Sequence, residues 1–418
     1  MFITDVSVKN FKSFRDEKIH FSDLNIVIGS NAAGKSNLIS VFRFIDQIIE
    51  CGIDNAISMS GGLEYVLNTT IGRTEPLSLS FSLNCTQKEW KLNLSDKNES
   101  YLILESFDYS FSIMPHKRGG GYRIIYDSLK LNYHQENNDD TDKRYSVEYR
   151  RANRKLSVLV DDHTTFEDDD VKQLLKNGFD RKYVERFFAS AAGSKELMLT
   201  FIFIFLPPLY RIKDLVRIYD FDPRLMKKPS ALTAITNLEE DGSNIANILQ
   251  NLLKNKTTRK RLENLLKDCL PFIESISTEN RFDKSVSYKI KEKYSSKALY
   301  SHFLSDGTVN ILALIIAMFF DGSSSVLIFE EPERNLHPQL MSRLLEMAYE
   351  TSKEKQIIIT THTPEMLRHA KLESILLAQR CQDGFTCIKK PINSELVLSF
   401  LENEVGIEDL FVQNLWEE

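Results

Sequence analysis

Cysteine is scarce. The five in 418 residues (Cys51, Cys85, Cys269, Cys381 and Cys387) include no CxxC pair and have no histidine at metal-ligand spacing, and the odd count fits structural thiols in a reducing compartment. Long apolar runs are also missing. LMLTFIFIFLPPLY (Leu197 to Tyr210) and ILALIIAMFF (Ile311 to Phe320) fall short of the ~20 residues a membrane span needs, so they read as buried helix or strand. The opening MFITDVSVKNFKSF has early charges and no apolar h-region, which leaves no signal peptide and places the chain in the cytoplasm, away from membranes. Positive charge is not in excess. With 53 Lys and Arg against 59 Asp and Glu, the net charge of -6 gives no global basic field, and nucleic-acid binding would have to come from local patches. No internal repeat, sustained heptad or low-complexity linker is found.

What is present has a clear order. Phe2, Thr4, Val6 and Val8 alternate with Ile3, Asp5, Ser7 and Lys9, the pattern of a half-buried strand. LNIVI (Leu24 to Ile28) is a buried strand. The residues after Lys35 place Leu38, Val41, Phe42, Ile45, Ile48 and Ile49 on one face of a helix. From about Pro76 to Val160 short alternating runs (LSLSFSL, WKLNLS, YLILESFDYSFSI, YRIIYDSLKLNY, YSVEYR, KLSVLV) predict antiparallel β-structure. The acidic stretches Asn137 to Lys143 and Asp161 to Asp170 read as solvated loops without the spacing of a metal site. Helical periodicity dominates from Val171 to Leu270. The final third alternates helix and buried strand, with a helix expected from Pro364, the rhythm of a covered parallel sheet.

Chemistry concentrates in three stretches. GSNAAGKSN (Gly29, Ser30, Asn31, Ala32, Ala33, Gly34, Lys35, Ser36, Asn37) sits between a strand and a helix, the context of a phosphate-binding loop. Its glycines permit a tight turn, its amides and the helix N-terminus face anionic phosphates, Lys35 reaches the β- and γ-phosphates, and Ser36 is a Mg²⁺ ligand. SVLIFEEPE (Ser325 to Glu333) ends a buried strand in two carboxylates: Glu330 for the Mg²⁺ shell, Glu331 to orient or deprotonate the attacking water. IIITTH (Ile357 to His362) ends in a histidine placed to contact the γ-phosphate. In HFLSDGT (His302 to Thr308), Ser305 and Gly307 are either further phosphate donors at a helix N-terminus or an ordinary N-cap.

The order phosphate loop, long insertion, LSDG, EE strand, His strand resembles that of ABC-type ATPases, and more narrowly the ATPase heads of the SMC, RecF and OLD (overcoming lysogenization defect) group. VKNFKSFRDEKIHF is similar to the group's first strands. GSNAAGKSN matches GxNGxGKSN with Ala32 at a usual glycine, LSDG stands for LSxG, EEPERNLHP for DEPExxLHP, and TTHTPEML for the switch-histidine strand. The likeness covers Met1 to Gly72 and Phe282 to about Ala378, and extends weakly to IYDFDPRL and LEEDGSNIANILQNLL. It implies an α/β fold, an ABC-ATPase head with a mixed β N-terminal lobe, a parallel-sheet RecA-like C-terminal lobe and a β-plus-helical insertion. The implied segments are 1–75 (first half of the head), 76–170 (antiparallel β region), 171–280 (helical lid) and 281–418 (second half). Glu330 replaces the family's Asp, a longer carboxylate that can still ligate Mg²⁺. No Gln loop is assigned. Lys12 and Ser13 fall near the family's nucleotide contacts, or are an exposed strand end.

The resemblance also implies ATP and Mg²⁺ as cofactors and an ATP-sandwiched homodimer, in which LSDG of one copy faces the nucleotide of the other. The stretch between Lys35 and Glu330 is too long and strand-rich for a transporter's ATPase subunit, and it lacks the heptads of an SMC arm. Only a short tail with Glu402, Glu408 and Asp409 follows, too little for a metal-dependent nuclease domain, so any nuclease or toxin lies on another chain. Stand-alone heads of this kind resemble ATPases of bacterial anti-phage systems that hold and release an effector. Three functions stand open: a switch controlling a separate effector, a RecF-like ATPase that clamps DNA directly, and an ATP-dependent scaffold with little turnover. Basic clusters at Arg181 to Arg186, Tyr210 to Arg217 and Lys254 to Arg261 keep DNA or RNA among the candidate partners, though solvated helix faces carry the same pattern.

Overall fold

The structure, a computed structural model, describes residues 1–85, 91–95, 100–119, 121–136, 143–152, 155–160, 196–205, 212–322, 324–391, 409 and 411. Outside them lie the acidic stretches apart from Lys143, the start of the helical stretch, the cluster Arg181 to Arg186, and Glu402 and Glu408.

The strands in chain order are β1 (Phe2–Phe11), β2 (Phe14–His20), β3 (Leu24–Ile28), β4 (Leu77–Asn84), β5 (Lys91–Ser95) and β6 (Ser100–Pro115). Then come β7 (Tyr122–Glu136), β8 (Lys143–Ala152), β9 (Lys155–Val160), β10 (Val216–Tyr219), β11 (Ser230–Ala231) and β12 (Ile273–Asn280). The last are β13 (Ser285–Glu292), β14 (Leu299–Tyr300), β15 (Val326–Glu330), β16 (Gln356–Thr361), β17 (Ile375–Arg380) and β18 (Thr386–Lys389). The helices are α1 (Lys35–Cys51), α2 (Ile53–Met59), α3 (Leu63–Val66), α4 (Met198–Phe205) and α5 (Pro223–Met226). They continue with α6 (Ile245–Lys254), α7 (Lys256–Cys269), α8 (Asp306–Phe320) and α9 (Gln339–Thr351). Two interleaved units result: Met1–Phe21, Asn37–Leu215 and Gln379–Ile388 form one, and Ser22–Ser36, Val216–Ala378 and Lys389–Glu418 the other.

The first unit is built on an antiparallel sheet in the order β2-β1-β4-β6-β7-β8-β9, with β5 on β6. The alternation in β1 changes phase. Ile3 is buried, a bulge intervenes between Ile3 and Asp5, and thereafter Val6 and Val8 are the buried residues. A bulge adds one residue and so flips the faces that follow. The α1 residues expected to face inward, Leu38 through Ile49, are all buried. Phe81, Phe107, Tyr109 and Phe111 form an aromatic row on the sheet.

Beside that row lies a buried ion pair. Asp127 is fully buried and accepts from Arg151 at 2.7 Å, from the Tyr109 hydroxyl at 2.6 Å and from the Met198 amide at 2.9 Å. Burial pushes the Asp127 carboxyl above its ordinary value, against the opposing pull of Arg151 and these hydrogen bonds. Removing the cation strands a charge in apolar surroundings. Arg151→Ala is therefore expected to cost about 3–5 kcal/mol in urea unfolding, whereas replacing both partners with apolar residues costs far less.

The second unit contains parallel strands in the order β10-β15-β16-β3-β17. The central strands are mostly apolar, and all of β3 and β16 is buried, as a sheet covered on both faces requires. α8 is apolar all round and buried from Thr308 to Met318, so it is a core helix. A smaller sheet, β11-β13-β12 with β14 on β13, carries α6 and α7. No helix among the described residues is long and apolar enough to cross a membrane.

Three local expectations change. β10 lies inside the stretch read as helical; four residues are too few to show a period of two. The segment from Pro364 is a 3₁₀ stretch, Pro364–His369, rather than an α-helix. Cys381 and Cys387 are joined in a disulfide, with Cα atoms 6.1 Å apart, instead of remaining free thiols. The Asp383-Gly384 turn between β17 and β18 folds the two cysteines toward each other, Gly384 donating to the Cys381 carbonyl.

Candidate nucleotide-phosphate site

Register places the site. In the parallel sheet Tyr219 pairs with Phe329, Glu330 with Thr360, and Thr361 with Ile28. Asp220, Glu330-Glu331, His362 and Gly29 therefore all leave the same carboxyl edge, where ligands bind in open α/β sheets.

The loop after β3 is wound tightly. Gly34 has φ 110° and Ala32 has φ 63°, a left-handed conformation that an L-residue adopts at a cost and that explains the glycine usual at position 32. Gly29 lies against β17: a Cβ there would stand 2.2 Å from the Ala378 carbonyl oxygen. Lys35 is buried, and its Nζ donates to the carbonyls of Gly29 at 2.7 Å and Ser30 at 3.0 Å. Burial lowers the Lys35 pKa, while the charges of Glu331, Glu333 and Glu330 act against that shift. Ser36 Oγ donates to Glu330 Oε1 at 2.6 Å, so the hydroxyl and the longer carboxylate meet as one oxygen-donor pair. Asn37 points elsewhere, its Nδ2 donating to Ser13 Oγ at 2.7 Å. Lys12 likewise donates to Ser40 Oγ at 2.9 Å.

Glu331 is held on both oxygens. Oε1 meets His362 Nδ1 at 3.0 Å, and Oε2 accepts from Arg334 Nε at 3.0 Å. Arg334 in turn donates to Asp220 Oδ1 at 3.0 Å. Burial alone would raise the Glu331 carboxyl, but the hydrogen bonds and charges of Arg334 and His362 outweigh it and keep the group below its ordinary value. Its backbone has φ 44°, strain of the kind that collects at functional positions.

The structure brings together the loop, the tandem glutamates and His362. Ser305 and Gly307, which the sequence also offered as phosphate donors, make other contacts within this chain. Ser305 caps α8 by accepting from the Thr308 amide at 3.1 Å, the plainer of its two expected roles, and Gly307 lies against Asn335. Among the described residues neither hydrogen-bonds to the phosphate loop. Reasoning missed Asp220, Arg334, Asn310 and Glu333. Arg334 stood in the quoted EEPERNLHP, but only strand register shows that Asp220 meets it.

Glu333 is the buried acid of the site. It accepts from the Thr361 hydroxyl, and burial pushes its carboxyl above the ordinary value of 4.5. A folded-state value above the unfolded one means stability that is full below pH 4.5 and declines as pH rises through the folded value. Glu333→Gln keeps the acceptor oxygen and removes the titration. Its melting temperature relative to the unchanged chain is expected to be higher at pH 8 than at pH 4; an equal offset at both pH values contradicts this.

A family model, the AAA ATPase domain (AAA_15), matches residues 1–367. Among solved structures, an SMC head bound to the C-winged helix domain of ScpA is similar at 13% identity and a TM-score of 0.51, covering 93% of this chain and 98% of that one. An uncharacterized protein of Methanocaldococcus jannaschii, MJECL43, is 26% identical over 147 residues, 32% of this chain and 38% of its own length. Urease accessory protein 2 of Cryptococcus neoformans var. grubii is 27% identical over 132 residues, 26% of this chain and 11% of its own. The matched stretches thus span well under half of either curated relative.

Proposed function

The chain belongs to the AAA ATPase domain family and has the fold of an ABC/SMC-type ATPase head, and from that premise we propose that it is a MgATP-driven switch that dimerises around nucleotide and controls a separate effector. The observation that supports it best is the juxtaposition at one sheet edge of a phosphate loop, a hydroxyl-carboxylate pair and a carboxylate-imidazole pair.

In this reading the amides of 30–36 and Lys35 bind the triphosphate, and Lys35 leaves its two carbonyl partners for the β- and γ-phosphates. Ser36 and Glu330 fit Mg²⁺, which takes hard oxygen ligands and is commonly held by one or two carboxylates plus phosphates. When bound, the ion neutralises charge on the phosphate oxygens. Glu331 orients or deprotonates the attacking water, and His362, paired with it, would contact the γ-phosphate.

Ser305 and Gly307, at the N-terminus of α8, serve the nucleotide of a second copy. Hydrolysis then removes intersubunit contacts and biases a two-state assembly. Segments 76–170 and 171–280 act as docking platform and lid on a head made of 1–75 and 281–418. The similar SMC head was solved with a separate protein domain bound, which supports a docked effector here. Anti-phage defence, with a nuclease or toxin as effector, and a cytoplasmic location complete the reading.

One observation favours the alternative of direct DNA clamping: Lys256, Arg259, Lys260 and Arg261 are exposed on α7. Turnover measured with and without duplex DNA separates the two. The switch reading expects turnover indifferent to DNA, whereas stimulation that fades with salt assigns the chain to DNA.

A further inference from the structure

The loop that carries Glu331 is fastened to the helix that carries LSDG. Asn310, one turn into α8 and 3% exposed, donates through Nδ2 to the Pro332 carbonyl at 2.9 Å and to the Arg334 carbonyl at 2.8 Å. Both amide protons are thereby used, and two acceptor carbonyls fix which end of the side chain is nitrogen. Oδ1 is buried without a partner among the described residues, so the amide is oriented wholly by this loop. A second contact lies one turn earlier, where a Cβ on Gly307 would stand 2.8 Å from the Asn335 oxygen.

The loop is also hydrogen-bonded to itself. Arg334 N donates to Glu331 O at 3.1 Å and Leu336 N to Glu333 O at 3.0 Å. Its far side is pinned to β16 through Glu333 and the Thr361 hydroxyl, and Thr361 Oγ1 accepts from Thr363 N at 3.0 Å, bracketing His362. A displacement of the start of α8 therefore pulls the two carbonyls that flank Glu333, and with them Glu331 and its partner Arg334.

We infer that Asn310 is a positioning residue that couples the LSDG end of α8 to Glu331 of the same chain. The inference rests on the reading that Glu331 acts on MgATP and that Ser305 and Gly307 engage a second copy. In such a dimer, engagement at one nucleotide moves the glutamate that serves the other. Asn310 thus makes the two sites fire cooperatively.

The test compares the unchanged chain, Asn310→Leu and Glu331→Gln in MgATP binding, steady-state turnover and the Hill coefficient for ATP. Leucine has the same number and branching of side-chain heavy atoms as asparagine and lacks the donors. Asn310→Leu is expected to bind MgATP within about threefold of the unchanged chain, turn over at least tenfold more slowly, and lose a Hill coefficient above one. Unchanged turnover and cooperativity overturn the inference, and so does a parallel fall in binding, turnover and melting temperature, which marks a merely structural residue. If Asn310→Leu does not fold, hydrogen exchange on Glu331→Gln decides: MgATP is expected to change protection of 306–312 and 331–336 together, and a change in 306–312 alone overturns it. Normal turnover by Glu331→Gln instead sinks the underlying site reading, which separates the two failures.

Discussion

Lys35→Ala is expected to abolish MgATP binding at concentrations that saturate the unchanged chain, an affinity loss of a hundredfold or more. Lys35 brings the cation, and Glu330, Glu331 and Glu333 lie close enough to act on its charge. Without the ammonium, the triphosphate meets three acidic side chains and one fewer charge-assisted donor. Each such hydrogen bond contributes about 1.5–3 kcal/mol, and the lost screening adds to it. The buried lysine also holds the carbonyls of Gly29 and Ser30, so the variant must first be shown to melt cooperatively. Equilibrium titration with a fluorescent ATP analogue then gives the answer; affinity within threefold of the unchanged chain moves the nucleotide elsewhere.

Glu331→Gln should have the opposite split: nucleotide bound as well or better, turnover lower by about 10²–10⁴-fold, the range of a general acid-base residue. Glutamine keeps the volume but cannot take a proton. Turned toward Arg334 Nε its amide NH₂ meets an obligatory donor, so the amide is expected to point its oxygen at Arg334 and its NH₂ at His362 Nδ1. The carboxylate's depressed pKa keeps it ionised, at the cost of basicity, so its role leans on orienting water as much as on removing a proton. A phosphate-release assay under ATP saturation checks the rate, and turnover within twofold of the unchanged chain removes Glu331 from the chemistry.

Much of this was legible in the residues, for a physical reason. A phosphate loop is local: glycine spacing, lysine and serine must be contiguous, so Gly29 to Ser36 announces itself, as does the apolar run that ends in Glu330 and Glu331. His362 followed from the same rule, one buried strand with a polar end. The relations among these pieces were less legible, since they depend on strand register across long separations. Nothing in VRIYD reveals that Tyr219 pairs with Phe329 and so delivers Asp220 to Arg334. Asn310 looked like one polar residue in an apolar helix, and only the loop seated on it explains why it is there. The cysteines misled because spacing was read for metal motifs, while the Asp383-Gly384 turn between Cys381 and Cys387 was the informative feature.

The two halves of the proposal, nucleotide held by Lys35 and copies joined by Ser305 and Gly307, meet in one quantity: the mass of the Glu331→Gln chain in solution with and without MgATP. Sedimentation equilibrium is predicted to give 48.3 kDa without nucleotide and twice that with it, reverting when Lys35→Ala is added to the same chain. A mass of 48.3 kDa at every nucleotide concentration, with MgATP shown to be bound, contradicts the account.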